Sequence, residues 1–173
     1  LGLNSFDTTS PLIKAFKDRD RNYFHWNGSE FEYFRAIRVP QVLDSNSLKN
    51  MIKQGHFELE KAIKIEKQAL KELRQYDVGL STIKNVMEAL REYWTLLNLD
   101  LSKKDPNLAN KTVEKNSISS TNTLKEMPWK KCKCSICKEV GIEVILFRGN
   151  NRNRRRGMHN LYAYGNRVKY IRD

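Results

Sequence analysis

The sequence has no run of eighteen apolar residues, so no stretch of it reads as a membrane-spanning helix. It has no charged start leading into an apolar stretch either; no secretion signal is read, and the chain is expected in the cytoplasm. Cysteine is nearly absent: three residues, all between positions 132 and 137. An odd number so tightly spaced excludes a disulfide framework and favours metal ligation in a reducing compartment. No internal repeat is present. The first residue is Leu1, which suggests a piece of a longer protein or a trimmed chain.

What is present is enough for a core. Hydrophobic residues make up 39% of 173 positions, which suits one ordinary domain or part of a larger one. The net charge is +12, unevenly spread: residues 128–173 carry twelve Lys/Arg against Glu139, Glu143 and Asp173. Positive charge concentrated in this way marks a face that binds a polyanion, because each neutralised phosphate releases counterions. Arginine, with its flat fork of donors, is the better phosphate ligand, and Arg148, Arg152, Arg154, Arg155 and Arg156 are the candidate nucleic-acid contacts.

Along the chain, LGLNSF reads as a short buried strand, and Pro11 as the first residue of the helix PLIKAFK. Two aromatic runs flank Asn27-Gly28, a β-hairpin signature. From Ser45 to Tyr76, apolar residues at Leu48, Ile52, Leu59, Ile63, Leu70 and Leu73 predict a helix, with a break near Gly55. Asp77 and Gly79 stop it. A second helix follows, capped by Ser81, with Ile83, Val86, Met87, Leu90, Trp94 and Leu97 along one face, so the pair should form an antiparallel helical hairpin. Residues 102–125, polar and poor in large apolar side chains, read as a mobile linker. VGIEVILF reads as a strand, GNNRNRRRG as a polar turn or short helix, and MHNLYAYGNRVKYI as the beginning of a helix.

Zinc takes about four ligands in a tetrahedron, and thiolates two to four residues apart can wrap one ion. Cys132, Cys134 and Cys137 supply three, and His159 is the sole downstream histidine, so a Cys3His site is expected. With all four positions filled by protein, the zinc should be structural.

Cys132-x-Cys134-x-x-Cys137, a basic stretch, and then His159-Asn160-Leu161 resemble the zinc subdomain of the tRNA-guanine transglycosylases (queuine tRNA-ribosyltransferases) and of their DNA-modifying 7-deazaguanine relatives. In that family the zinc subdomain follows the last strand of a TIM barrel, at whose tip a catalytic aspartate stands in a Phe-Asp-x-x-x-Pro context; this sequence has Phe6-Asp7-Thr8-Thr9-Ser10-Pro11. The resemblance implies an α/β fold: the last strand and helix portion of a TIM-barrel transglycosylase, with a β-hairpin, a helical insertion and a zinc subdomain. It implies segments at 1–43 (end of the barrel and hairpin), 44–127 (insertion and linker) and 128–173 (zinc subdomain and final helix). It also implies that Asp7 is the nucleophile toward C1′ of the target guanosine, while a 7-deazaguanine base replaces guanine. Such a carboxylate can trap an oxocarbenium-like sugar.

The sequence departs from the family where a Thr-Arg pair should follow the proline, since Leu12-Ile13-Lys14 stands there. Earlier barrel strands would carry the second carboxylate and the base pocket, so the remainder of the barrel, or a partner chain holding it, is an expected partner. FRGNNRNRRRGMHN and the long insertion are more similar to the DNA-modifying branch than to the tRNA enzymes. Two other readings remain open: an enzyme acting on tRNA, and a zinc-stabilised nucleic-acid-binding module without catalysis.

Overall fold

The computed structural model describes residues 9–172; Asp7 and the expected strand at 1–6 lie outside them. Pro11 sits in the first turn of α1 (Ser10–Lys17), where its missing N–H costs no hydrogen bond. The turn after α1 is fixed by Asp18, whose carboxylate accepts the N–H groups of Asp20 and Arg21 at 2.9 and 2.8 Å. The hairpin forms as expected from β1 (Tyr23–Trp26) and β2 (Phe31–Phe34), antiparallel, with Trp26 opposite Phe31. Its two central residues are Gly28 and Ser29, one place later than the sequence suggests. The Asn27 side chain causes the shift by folding over the turn to accept the N–H groups of Ser29 and Glu30. A two-residue strand, β3 (Ile37–Arg38), follows.

The long charged segment is two helices, α2 (Asn46–Lys53) and α3 (Leu59–Asp77), separated at Gly55 as expected. A short turn leads to α4 (Ile83–Leu97), which packs along α3. The N-cap is Thr82, whose hydroxyl accepts the Asn85 N–H, while Ser81 instead donates to Glu72. Val86, Met87, Leu90 and Trp94 of the expected stripe are buried in the core.

Residues 102–125 are not a linker. They belong to α5 (Leu99–Lys104) and α6 (Pro106–Glu126), the latter capped by Asp105 with Pro106 in its first turn. The buried face of α6 is mostly small and polar (Ala109, Asn116, Ser117, Ser120, Thr123), with Leu124 near its end the one large apolar residue, so it gives no apolar stripe to read. Its partners are α4 and Arg35: Thr123 donates to the Arg35 carbonyl at 3.0 Å, and Asn116 accepts from the Arg35 guanidinium at 2.8 Å.

Two short helices, α7 (Pro128–Lys131) and α8 (Ser135–Val140), precede a 3-10 turn at Gly141–Ile145. Only Leu146–Phe147 of the expected strand is extended; this is β4, parallel to β3 with Ile37 opposite Leu146. The expected turn and final helix are one continuous helix, α9 (Gly149–Arg172). α9 packs closely on α1, where a Cβ at Gly157 would lie 2.9 Å from the Leu12 side chain. A single hydrophobic cluster runs from Tyr23 and Ile37 through Leu73 and Trp94 to Leu124, Trp129 and Ile142. Among the described residues no helix is long and apolar enough to cross a membrane.

Asp77 explains why the apolar run 140–147 is not a strand. Its carboxylate accepts the Ile142 N–H at 2.9 Å and the Trp129 indole N–H at 2.7 Å, which turns the chain back onto the end of α3. Gly141 permits this with φ +53°, and a Cβ there would lie 2.2 Å from the Asp77 carboxylate. Gly141→Ala should therefore lower stability by about 2 to 4 kcal/mol, combining left-handed strain with loss of buried hydrogen bonds. Urea unfolding measures this, and an unchanged midpoint would show that Asp77 does not hold the turn.

Candidate metal centre

Cys132 follows α7, Cys134 caps α8, and Cys137 lies inside that six-residue helix, so the chain curls around a point facing α9. Two backbone amides donate to sulfur within the curl: Cys134 N–H to Cys132 Sγ at 3.4 Å and Cys137 N–H to Cys134 Sγ at 3.3 Å. Such donors stabilise thiolates. His159 points in from near the middle of α9, fully buried, with Nδ1 at 3.5, 3.5 and 3.3 Å from the sulfurs of Cys132, Cys134 and Cys137. A tetrahedral ion with bonds of about 2.3 Å to sulfur and about 2.0 Å to nitrogen has N···S edges of roughly 3.5 Å. The four side chains are thus placed to bind one metal ion.

The surrounding groups suit this use. Nε2 of His159 lies 2.7 Å from the Phe24 carbonyl, which can only accept, so Nε2 carries the proton and Nδ1 is left with its lone pair. Tyr23 stacks on the imidazole with ring centroids 4.0 Å apart, and its hydroxyl lies 3.4 Å from Cys137 Sγ. Burial and the neighbouring sulfurs raise the Tyr23 pKa well above the ordinary phenol value. Contacts with Cys132 and Cys137 pull the Cys134 thiol down, whereas Cys132 and Cys134 push the Cys137 thiol up. Three sulfurs this close do not ionise together without a cation. Burial presses the His159 pKa down, but Cys132 and Cys134 outweigh it and carry the value up to about 9, a measure of how strongly the cage favours positive charge at Nδ1.

Asn160, next in the helix and fully buried, extends the centre outward. Its Oδ1 accepts the Phe24 N–H at 3.0 Å, and its amide donates to the carbonyls of Pro11 and Asn22, both at 3.1 Å. The metal-binding turn of α9 is in this way tied to the start of α1 and to β1. Sequence reasoning noted His159-Asn160 only as a pattern; the tether itself depends on tertiary placement.

The five candidate arginines have different fates. Arg148 and Arg156 are buried, which corrects their reading as nucleic-acid contacts. Arg148 pairs with buried Glu66 and donates to the Val39 carbonyl at 3.2 Å. Arg156 donates to the carbonyls of Leu146 and Ala15 and to Asn153, and burial lowers its pKa to about 10. Arg152 is half-buried and paired with Glu143, whose carboxyl is pushed up by burial but held below its ordinary value by Arg152 and Arg74. Arg154 and Arg155 are exposed on the outer face of α9. Helical phase decides the split: Asn153, Arg156, His159, Asn160 and Ala163 share the inward face.

No family model matches the chain. Over 170 residues, 98% of its length, the chain is 39% identical to a Salmonella montevideo protein named DNA-guanine transglycosylase. It is homologous to part of that transglycosylase. The chain spans 38% of that relative's length.

Cys134→Ser removes one sulfur and an amide acceptor. Metal analysis should then show less than stoichiometric divalent ion, and the melting temperature should fall by several degrees. A variant retaining one ion per chain and its wild-type melting temperature would rule out ligation by Cys134.

Proposed function

We propose that the chain is the C-terminal part of a base-exchange transglycosylase that replaces guanine by a 7-deazaguanine in nucleic acid, with DNA as the substrate. The observation that carries this reading is the Cys3His cage in a chain that is 39% identical, over nearly all its length, to a protein named DNA-guanine transglycosylase. The ion is zinc and its role is structural, since three sulfurs and one imidazole fill a tetrahedron and leave no position for substrate. The segment 1–43 ends the catalytic barrel, 44–127 is a helical insertion, and 128–173 is the zinc subdomain.

Asp7 is the nucleophile. Its carboxylate attacks C1′ of the target nucleoside, the bond to guanine N9 breaks, and guanine leaves with a proton gained at the ring. The incoming base then attacks C1′ through its own ring nitrogen, gives up the proton that nitrogen carried, and displaces the carboxylate as the ester bond to C1′ breaks. The tether Asn160–Pro11 supports this assignment, because it ties the metal-binding turn to a backbone carbonyl four residues past Asp7. The remainder of the barrel supplies the base pocket and the second carboxylate. Arg154 and Arg155 are the exposed members of the arginine run and meet the phosphate backbone.

Asp7→Ala in the full-length protein should abolish exchange of labelled guanine in duplex DNA, by at least a thousandfold, with zinc content and melting temperature unchanged. Surviving exchange would remove Asp7 from the reaction, and exchange into tRNA alone would replace DNA by tRNA as the substrate.

Asn160→Ala should cost about 2 to 4 kcal/mol of stability through three buried hydrogen bonds, and should lower kcat more than metal content. Parallel metal analysis and kinetics on the full-length protein decide it.

A further inference from the structure

A polar cleft of about 650 Å³ opens on the side of α1 away from Thr9, between α1, β3, α4 and α6. Lys17, Arg19, Arg35 and Arg38 line it. Arg35 is held in place by Asn116 Oδ1 at 2.8 Å and Asp20 at 3.7 Å. Arg19 and Arg38 are exposed and have no ion-pair partner among the described residues. The exposed Arg38 guanidinium sits on a stem that is partly desolvated, and this desolvation, followed by the charges of Arg35 and Arg19, lowers its pKa. Two carboxylates, Asp18 and Asp44, share the wall, but Asp18 is already engaged by the Asp20 and Arg21 amides. Half-buried Phe16 and Phe147 add flat apolar surface beside the charges.

The wall carries four cations against two carboxylates, an excess of like charge that an anionic ligand relieves. Arginines beside aromatic surface are the chemistry of a groove that follows a single-stranded backbone. A volume in the range of small-ligand pockets suits one or two nucleotide units and is far too narrow for a duplex.

We propose that this cleft binds a phosphodiester of a single-stranded nucleic-acid segment through Arg19, Arg35 and Arg38. Nucleic acid as the source of the phosphate rests on the transglycosylase reading; the anion site itself rests on the cleft. Opening the duplex to reach a base produces such a segment, and α1, about 12 Å long, sets the cleft roughly one helix length from Thr9.

The test compares the full-length protein with its Arg19→Gln/Arg38→Gln variant, using a fluorescein-labelled single-stranded dodecamer over a range of salt. The proposal expects an affinity loss of at least tenfold at low salt and a log K against log salt slope smaller by about 1.4, with a melting temperature that does not fall. An unchanged slope in the cleft variant would overturn the proposal. So would equal competition by free guanosine monophosphate and inorganic phosphate, which would make the site one for a free small anion. Loss of dodecamer binding in the cleft variant, with exchange surviving Asp7→Ala, would uphold the cleft while removing the catalytic reading.

Discussion

Three sulfur atoms crowded within 3.5 Å of a single imidazole nitrogen repel one another as soon as more than one is ionised, and a buried divalent cation turns that repulsion into attraction. The same imidazole holds β1 through its other nitrogen, and the next residue holds both β1 and the start of α1. Coordination of one ion there would therefore order three separate pieces of chain. None of them has enough apolar surface to dock alone, since β1 is four residues long and α1 eight.

The insertion is fastened to the rest by main-chain acceptors as much as by apolar packing. The strap from Arg35 to Pro40 offers its carbonyls outward, and the Trp94 indole, the Tyr93 hydroxyl and Thr123 each donate to one of them. Glu66 adds a carboxylate that accepts the Val42 N–H at 2.6 Å while neutralising Arg148. Burial, with the Glu66 charge nearby, raises the Tyr93 pKa, so its hydroxyl stays a donor. A buried ion pair of this kind adds little net stability over an apolar pair, but losing either partner costs several kcal/mol, so it fixes the docking geometry.

Much of this was readable from the sequence, for reasons that can be stated residue by residue. Cys132, Cys134, Cys137 and His159 were legible because metal ligation leaves a spacing that little else requires, and α4 because large apolar side chains recur at its helical period. α6 was not legible, because Asn116, Ser117, Ser120 and Thr123 make its buried face mostly small and polar, and Asn116 and Thr123 are held there by hydrogen bonds to Arg35 that no periodicity of hydropathy records. The arginine run misled for a related reason: charge counting treats Arg154 and Arg156 alike, while one helical phase sends the first into solvent and the second to three buried acceptors. Arg19, Arg35 and Arg38 look unremarkable in the chain, and only folding gathers them.

The parallel pairing of β3 with β4 joins residues about a hundred positions apart, so everything between them is one large excursion from a closed ring. Chain-closure entropy grows only with the logarithm of such an excursion, and doubling its length adds about 0.6 kcal/mol. Relatives can therefore lengthen or shorten the helices here at small thermodynamic penalty, provided the strap and the thiol cage are kept. The same topology delays assembly, because contacts so distant in sequence form late. The four ligands of the cage, Cys132 to His159, are by contrast close in sequence, so the cage does not have to wait for the distant strands to meet.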